Sequence, residues 1–105
     1  MQGGGGSTAA YRWMAPELLN DMSKMSAASD VFAYTMTCLE VYTGDIPFPK
    51  VQEFQVATMI TRNEKPPRPS NVSDELWALW ENGWEGDVDK RLTMTRYVER
   101  LNAMA

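Results

Sequence analysis

Residues 29–44 read SDVFAYTMTCLEVYTG, and this stretch decides the fold. Ser29 or Asp30 can cap a helix start, and Gly44 is placed as a left-handed stop. Its apolar positions, Val31, Phe32, Tyr34, Met36, Cys38, Leu39, Val41 and Tyr42, run all the way round a helical cylinder. A helix without a polar face belongs in the centre of something. The β-branched and aromatic content also admits a strand locally; the length and the Ser-Asp start favour helix.

Outward from this segment, the flanks read as further helices. Before it, APELLND (15–21) is a short helix with Pro16 near its first turn, where a missing N–H costs little. MSKMSAAS (22–29) is a small-residue connection. After it, DIPFP (45–49) cannot continue a helix past two prolines. VQEFQVATMITR (51–62) carries Val51, Phe54, Ala57 and Ile60 at helical spacing. NEKPPRPSNV (63–72) is a loop, extended around its prolines. Ser73 can cap DELWALWENGW (74–84), whose acids sit in the first turn and whose apolar stripe is Leu76, Trp77, Leu79, Trp80 and Trp84. EGDVDKRL (85–92) is a loop, and Thr93 can cap a last helix with Met94, Tyr97, Val98 and Leu101 on one face. The expectation is an all-α fold of about five helices, with no sheet and no internal repeat. Residues 1–10, MQGGGGSTAA, form a flexible Gly-rich leader, either an ordinary loop or a linker scar, and residues 11–105 form the domain.

Composition bounds the function. A 105-residue chain with 44% hydrophobic residues and four tryptophans suits one folded domain. A net charge of -4 gives no electrostatic reason to expect nucleic acid or an anionic membrane as partner. The local positive charge in RNEKPPRP (62–69) is interrupted by prolines and a glutamate. Histidine is absent, which removes the commonest general base, the commonest metal ligand and every Ser-His or Cys-His nucleophile pair. The single cysteine, Cys38, excludes an intramolecular disulfide and fits a reducing compartment. No apolar run approaches the roughly 18 residues of a membrane span, and residues 1–10 lack the basic and apolar regions of a signal peptide. A soluble, cytoplasmic protein is expected.

In their order and spacing, RWMAPELL (12–19), SDVFAYTMTCLEVYTGDIPFP (29–49) and PPRPSNVSDELWALWENGWEGDVDKRLTM (66–94) resemble the second half of the large lobe of a protein kinase, of the tyrosine-kinase-like group. The resemblance runs from Tyr11 to Leu101 and implies the helices EF, F, G, H and I of that lobe. It implies that Ala15-Pro16-Glu17 is the APE motif ending the activation segment, with Glu17 in a buried ion pair with Arg91 of the KRPT-like segment. It implies that Asp30 opens the central helix F and holds the catalytic loop, and that Trp84 packs behind the APE region. All are scaffold roles. Ser7 and Thr8 fall where activation-segment phosphorylation could occur; an unmodified loop is the bland alternative. Asp30 could equally be only a cap.

Phosphoryl transfer needs a phosphate cradle, a strand lysine, a catalytic loop and a magnesium-holding aspartate. In kinases these precede APE. The chain opens inside the activation segment, GGGG lacks a strand-turn-strand context, and neither HRD nor DFG occurs. No catalytic, cofactor-binding or metal residue is therefore assigned; ATP and magnesium are implied only for the complete family domain. Five positions depart from the family pattern: Ala9-Ala10 for a Gly-Thr pair, Thr35 for the helix F glycine, Gly83 for the cysteine before Trp84, and Leu92 for the KRPT proline. Together they suggest relaxed constraint or a distant branch.

Without the covering catalytic loop and helix E, four or five large helix F side chains would face water. At about 1.5–3 kcal/mol each, that forfeits on the order of 6–15 kcal/mol. The helix 30–43 face should then need a protein partner or the missing kinase segment, or lead to self-association. Three functions follow: part of a kinase, serine/threonine-directed; a kinase-lobe remnant acting as an interaction module; or a decayed fragment.

Overall fold

Ser26 caps the long helix, one turn ahead of the expected Ser29 or Asp30. The Ser26 side chain accepts from the Ser29 N–H, and the Ser29 hydroxyl accepts from the Ser26 N–H, a reciprocal capping box. Asp30, a turn inside, gains only a place near the positive end of the helix dipole. In the computed structural model, which describes residues 10–105, the elements are α1 (Pro16–Asn20), α2 (Ala27–Thr43), α3 (Glu53–Thr61), α4 (Asp74–Gly83) and α5 (Met94–Met104). Short 3-10 turns span Ala10–Trp13 and Met22–Lys24, the latter inside the stretch expected as a plain connection. The described residues contain no strand. Ser7 and Thr8 lie outside them.

α2 is the central element. It packs against α4, α5 and the Ala10–Trp13 turn, while α1 and α3 pack on each other and α3 meets that same turn. Val31, Phe32, Met36 and Leu39 of α2 join Leu79 and Trp80 of α4, Trp84, and Tyr97 of α5 in one core. Trp77, Trp80 and Trp84 meet edge-on or tilted at centroid distances of 5.5–6.3 Å, arrangements that add to area burial. Gly44 ends α2 with φ +78°, its N–H donating to the Glu40 carbonyl at 2.8 Å. That backbone is why a glycine stands there.

Two helix phases differ from expectation. In α3 the buried pair is Val56 and Ile60, four apart, whereas Phe54 is 65% exposed. In α5 Tyr97 is fully buried and Val98 is exposed. α2 also carries an open stripe: Tyr34, Val41 and Tyr42 face outward, with Cys38 half-buried beside them. Three large side chains are thus uncovered, fewer than the four or five expected, and α2 is not buried all round.

The loop from α2 to α3 contains two non-glycine residues with left-handed backbones, Phe48 (φ +55°) and Lys50 (φ +71°). Phe48 is buried, and its placement is over-determined by packing. Lys50 is exposed and has no such compensation. Relief of the left-handed penalty, about 1–2 kcal/mol, outweighs the added chain entropy of glycine. Lys50→Gly is expected to raise stability by about 0.5–1 kcal/mol, read as a higher urea midpoint at unchanged m-value. A lower midpoint would mean that the lysine side chain makes a contact worth more than its strain.

Candidate functional site: two buried arginine clamps

The APE-like segment is fixed from both ends by arginines whose guanidinium groups are spent on oxygen acceptors. Pro16 opens α1 at its first position, buried, behind Ala15, which supplies no side-chain cap. Glu17 follows in the first turn. Its two carboxylate oxygens accept from Arg91 Nη1 at 2.8 Å and Arg91 Nη2 at 2.9 Å, a two-pronged fork. Arg91 also donates from Nη1 to the Ala28 carbonyl at 2.9 Å and from Nε to the Glu85 carbonyl at 2.8 Å. Its guanidinium lies over the Phe32 ring, 5.2 Å from the centroid. One side chain thereby ties the start of α1, the start of α2 and the loop before α5.

The pair is secluded, with side-chain exposures of 0% for Arg91 and 9% for Glu17. Burial pushes the Glu17 carboxyl upward, but the Arg91 hydrogen bond and charge outweigh it and hold the group below its ordinary 4.5. The carboxylate is the form the fold keeps.

Arg12 is the second clamp, and sequence reasoning gave it no role. Nη1 donates to the Pro47 carbonyl at 3.0 Å and the Phe48 carbonyl at 2.7 Å, Nη2 donates to the Val51 carbonyl, and Nε bonds Glu53 Oε1 at 2.7 Å. These contacts hold the strained loop and the first turn of α3 onto the Ala10–Trp13 turn. Beside it, Trp13 Nε1 donates to Glu40 Oε1 of α2 at 3.0 Å. The signal for Arg12 was a lone charge between Tyr11 and Trp13. Its three backbone acceptors carry no side-chain signature, so the sequence does not announce the partner. Lysine cannot reproduce a planar fork aimed at four oxygens. Arg12→Lys is expected to cost about 1–3 kcal/mol in the urea midpoint, because buried carbonyls lose their donors. A loss below about 0.5 kcal/mol, the usual size of a surface change, would show that water replaces the fork.

Trp84 is fully buried at the C-terminus of α4, and its Nε1 has no acceptor among the described residues. Its carbonyl accepts from Lys65 Nζ, a bond that closes the end of α4. Burial pulls the Lys65 ammonium below its ordinary value, with Glu85 and Glu81 opposing. Asp30 is exposed and has no side-chain bond to any described residue. The structure therefore joins Glu17 to Arg91 and leaves Asp30 and Trp84 outside that clamp.

None of this is reactive chemistry. Burial pushes the Cys38 thiol up, away from the nucleophilic thiolate. It also raises the Tyr97 hydroxyl, which donates to Thr35 Oγ1 at 3.1 Å while Thr35 donates to the Val31 carbonyl at 2.8 Å.

Among the described residues the donor set does not fit ATP and magnesium. A groove of about 650 Å³ runs between Tyr11–Met22 and Phe54–Thr61 and is lined by no charged side chain. A second cleft, of about 320 Å³, offers prolines with one acid, Asp45, and one base, Arg68. Among the described residues no three acids or other metal ligands converge. No helix among them is long and apolar enough to cross a membrane.

Residues 2–101 match the family described as protein tyrosine and serine/threonine kinase. The serine/threonine-protein kinase STY46 of Arabidopsis thaliana is 31% identical over 93% of this chain, which covers 17% of that relative. STY17 of the same plant is 30% identical over 92% of the chain, covering 17% of it. The tyrosine-protein kinase Srms of Mus musculus is 31% identical over 94% of the chain, covering 20% of it. The chain thus spans a fifth or less of the length of these relatives. With the helices and the Glu17–Arg91 fork in the order the motifs demand, the chain belongs to the protein tyrosine and serine/threonine kinase family.

Proposed function

We propose that this chain is the helical buttress of a kinase domain that phosphorylates protein hydroxyls from ATP, serine and threonine foremost, and that it supports the reaction without performing it. The observation that carries this is the Glu17–Arg91 fork, which locks the APE-like segment to the loop before the last helix. Such a fork serves a neighbouring segment that must be held still while chemistry occurs beside it. The serine/threonine preference rests on the printed names of STY46 and STY17, against that of Srms. A cytoplasmic location fits the one half-buried, unactivated cysteine.

The open stripe of α2, Tyr34, Val41 and Tyr42, is where the remainder of the kinase domain packs in this proposal. It is also what favours the second reading, a non-catalytic kinase-lobe module that binds another protein through the same face, or a second copy of itself. Calorimetric titration of residues 1–105 with ATP and magnesium tests the first part. No saturable heat is expected. Saturable, magnesium-dependent binding would overturn the assignment of a support role.

The two readings part on a second measurement. The part of STY46 that precedes the stretch matched by this chain, supplied as a separate polypeptide, is expected to co-elute with residues 1–105 and to protect Tyr34 and Tyr42 from iodination. Self-association with those tyrosines protected, and no uptake of that segment, would favour the module.

A further inference from the structure

We draw no further inference here: the strongest candidate, the apolar groove of about 650 Å³ between α1 and α3 walled by Leu18, Met22 and the exposed Phe54, carries nothing because no charged side chain lines it and nothing in the structure shows what covers it.

Discussion

Arg91→Leu is expected to abolish the cooperative urea transition of residues 1–105 at 25 °C, or to leave it near zero denaturant. Removing one partner of a buried pair strands the other charge, at a cost of about 3–5 kcal/mol. Small domains hold only about 5–15 kcal/mol in all. Here the loss extends past Glu17, because the Ala28 and Glu85 carbonyls lose their donor at the same stroke. Glu17→Gln should cost less, since the amide still accepts from one arm of the fork and leaves Arg91 its two carbonyls. The double change Glu17→Leu with Arg91→Leu should recover part of the loss and no more. It cures the stranded carboxylate and leaves the two carbonyls bare. A full recovery would show that the pair acts only within itself and ties nothing together.

The same pair sets a pH signature. Glu17 has a folded pKa below 4.5, so its contribution is complete above that value and disappears as pH falls through the depressed folded value. The difference in urea midpoint between the native chain and Glu17→Gln should therefore be constant above about pH 5 and narrow in more acid solution. A gap that holds unchanged to pH 3 would assign the effect to packing and not to charge.

How far the sequence carried can be judged residue by residue. Pro16, Gly44, Ser73 and Thr93 mark element ends through local rules, and each stands where its chemistry placed it. The start of α2 escaped because a serine occupies the position where a capping box ordinarily shows Glu or Gln, so Ser26-Ala-Ala-Ser29 reads as a linker. The stripe on α3 was misphased because Val51, Phe54, Ala57 and Ile60 continue a tidy three-residue spacing, whereas the fold buries Val56. Phe54 is outside because the inner face of this short helix is filled by Val56 and Ile60 against the core. Arg12 was illegible for another reason: its acceptors are backbone carbonyls 35 to 39 residues away, fixed only once the loop has folded.

The departures at positions 35 and 83 look in the sequence like two separate relaxations of the kinase pattern; in space they face each other. A Cβ built on Gly83 would overlap Thr35 Oγ1 and lie 2.9 Å from Tyr97 Cε2 and 3.1 Å from Thr35 Cβ. The resemblance places the smaller residue on the central helix and the larger one before the tryptophan. This chain reverses the two, so the volume is exchanged across the α2–α4 contact and the junction stays full. The added hydroxyl is satisfied: Thr35 bonds Val31 and Tyr97, so the exchange also links α2 to α5.

Gly83→Ala is therefore expected to destabilise by about 1–3 kcal/mol or more, as overpacking does in a rigid core, despite alanine being about 1 kcal/mol the better helix former. In a Thr35→Gly background the obstructing Thr35 hydroxyl and Cβ are gone and only the edge of the Tyr97 ring, at 2.9 Å, still opposes the new methyl, so Gly83→Ala should cost clearly less than in the native chain. The interaction energy from the four urea midpoints should exceed about 1 kcal/mol, the size seen for residues in direct contact. Thr35→Gly alone should be costly, since it opens a void under Gly83 and leaves the Tyr97 hydroxyl without its acceptor. Additive effects of the two changes would break the argument, because residues that share one volume cannot act independently.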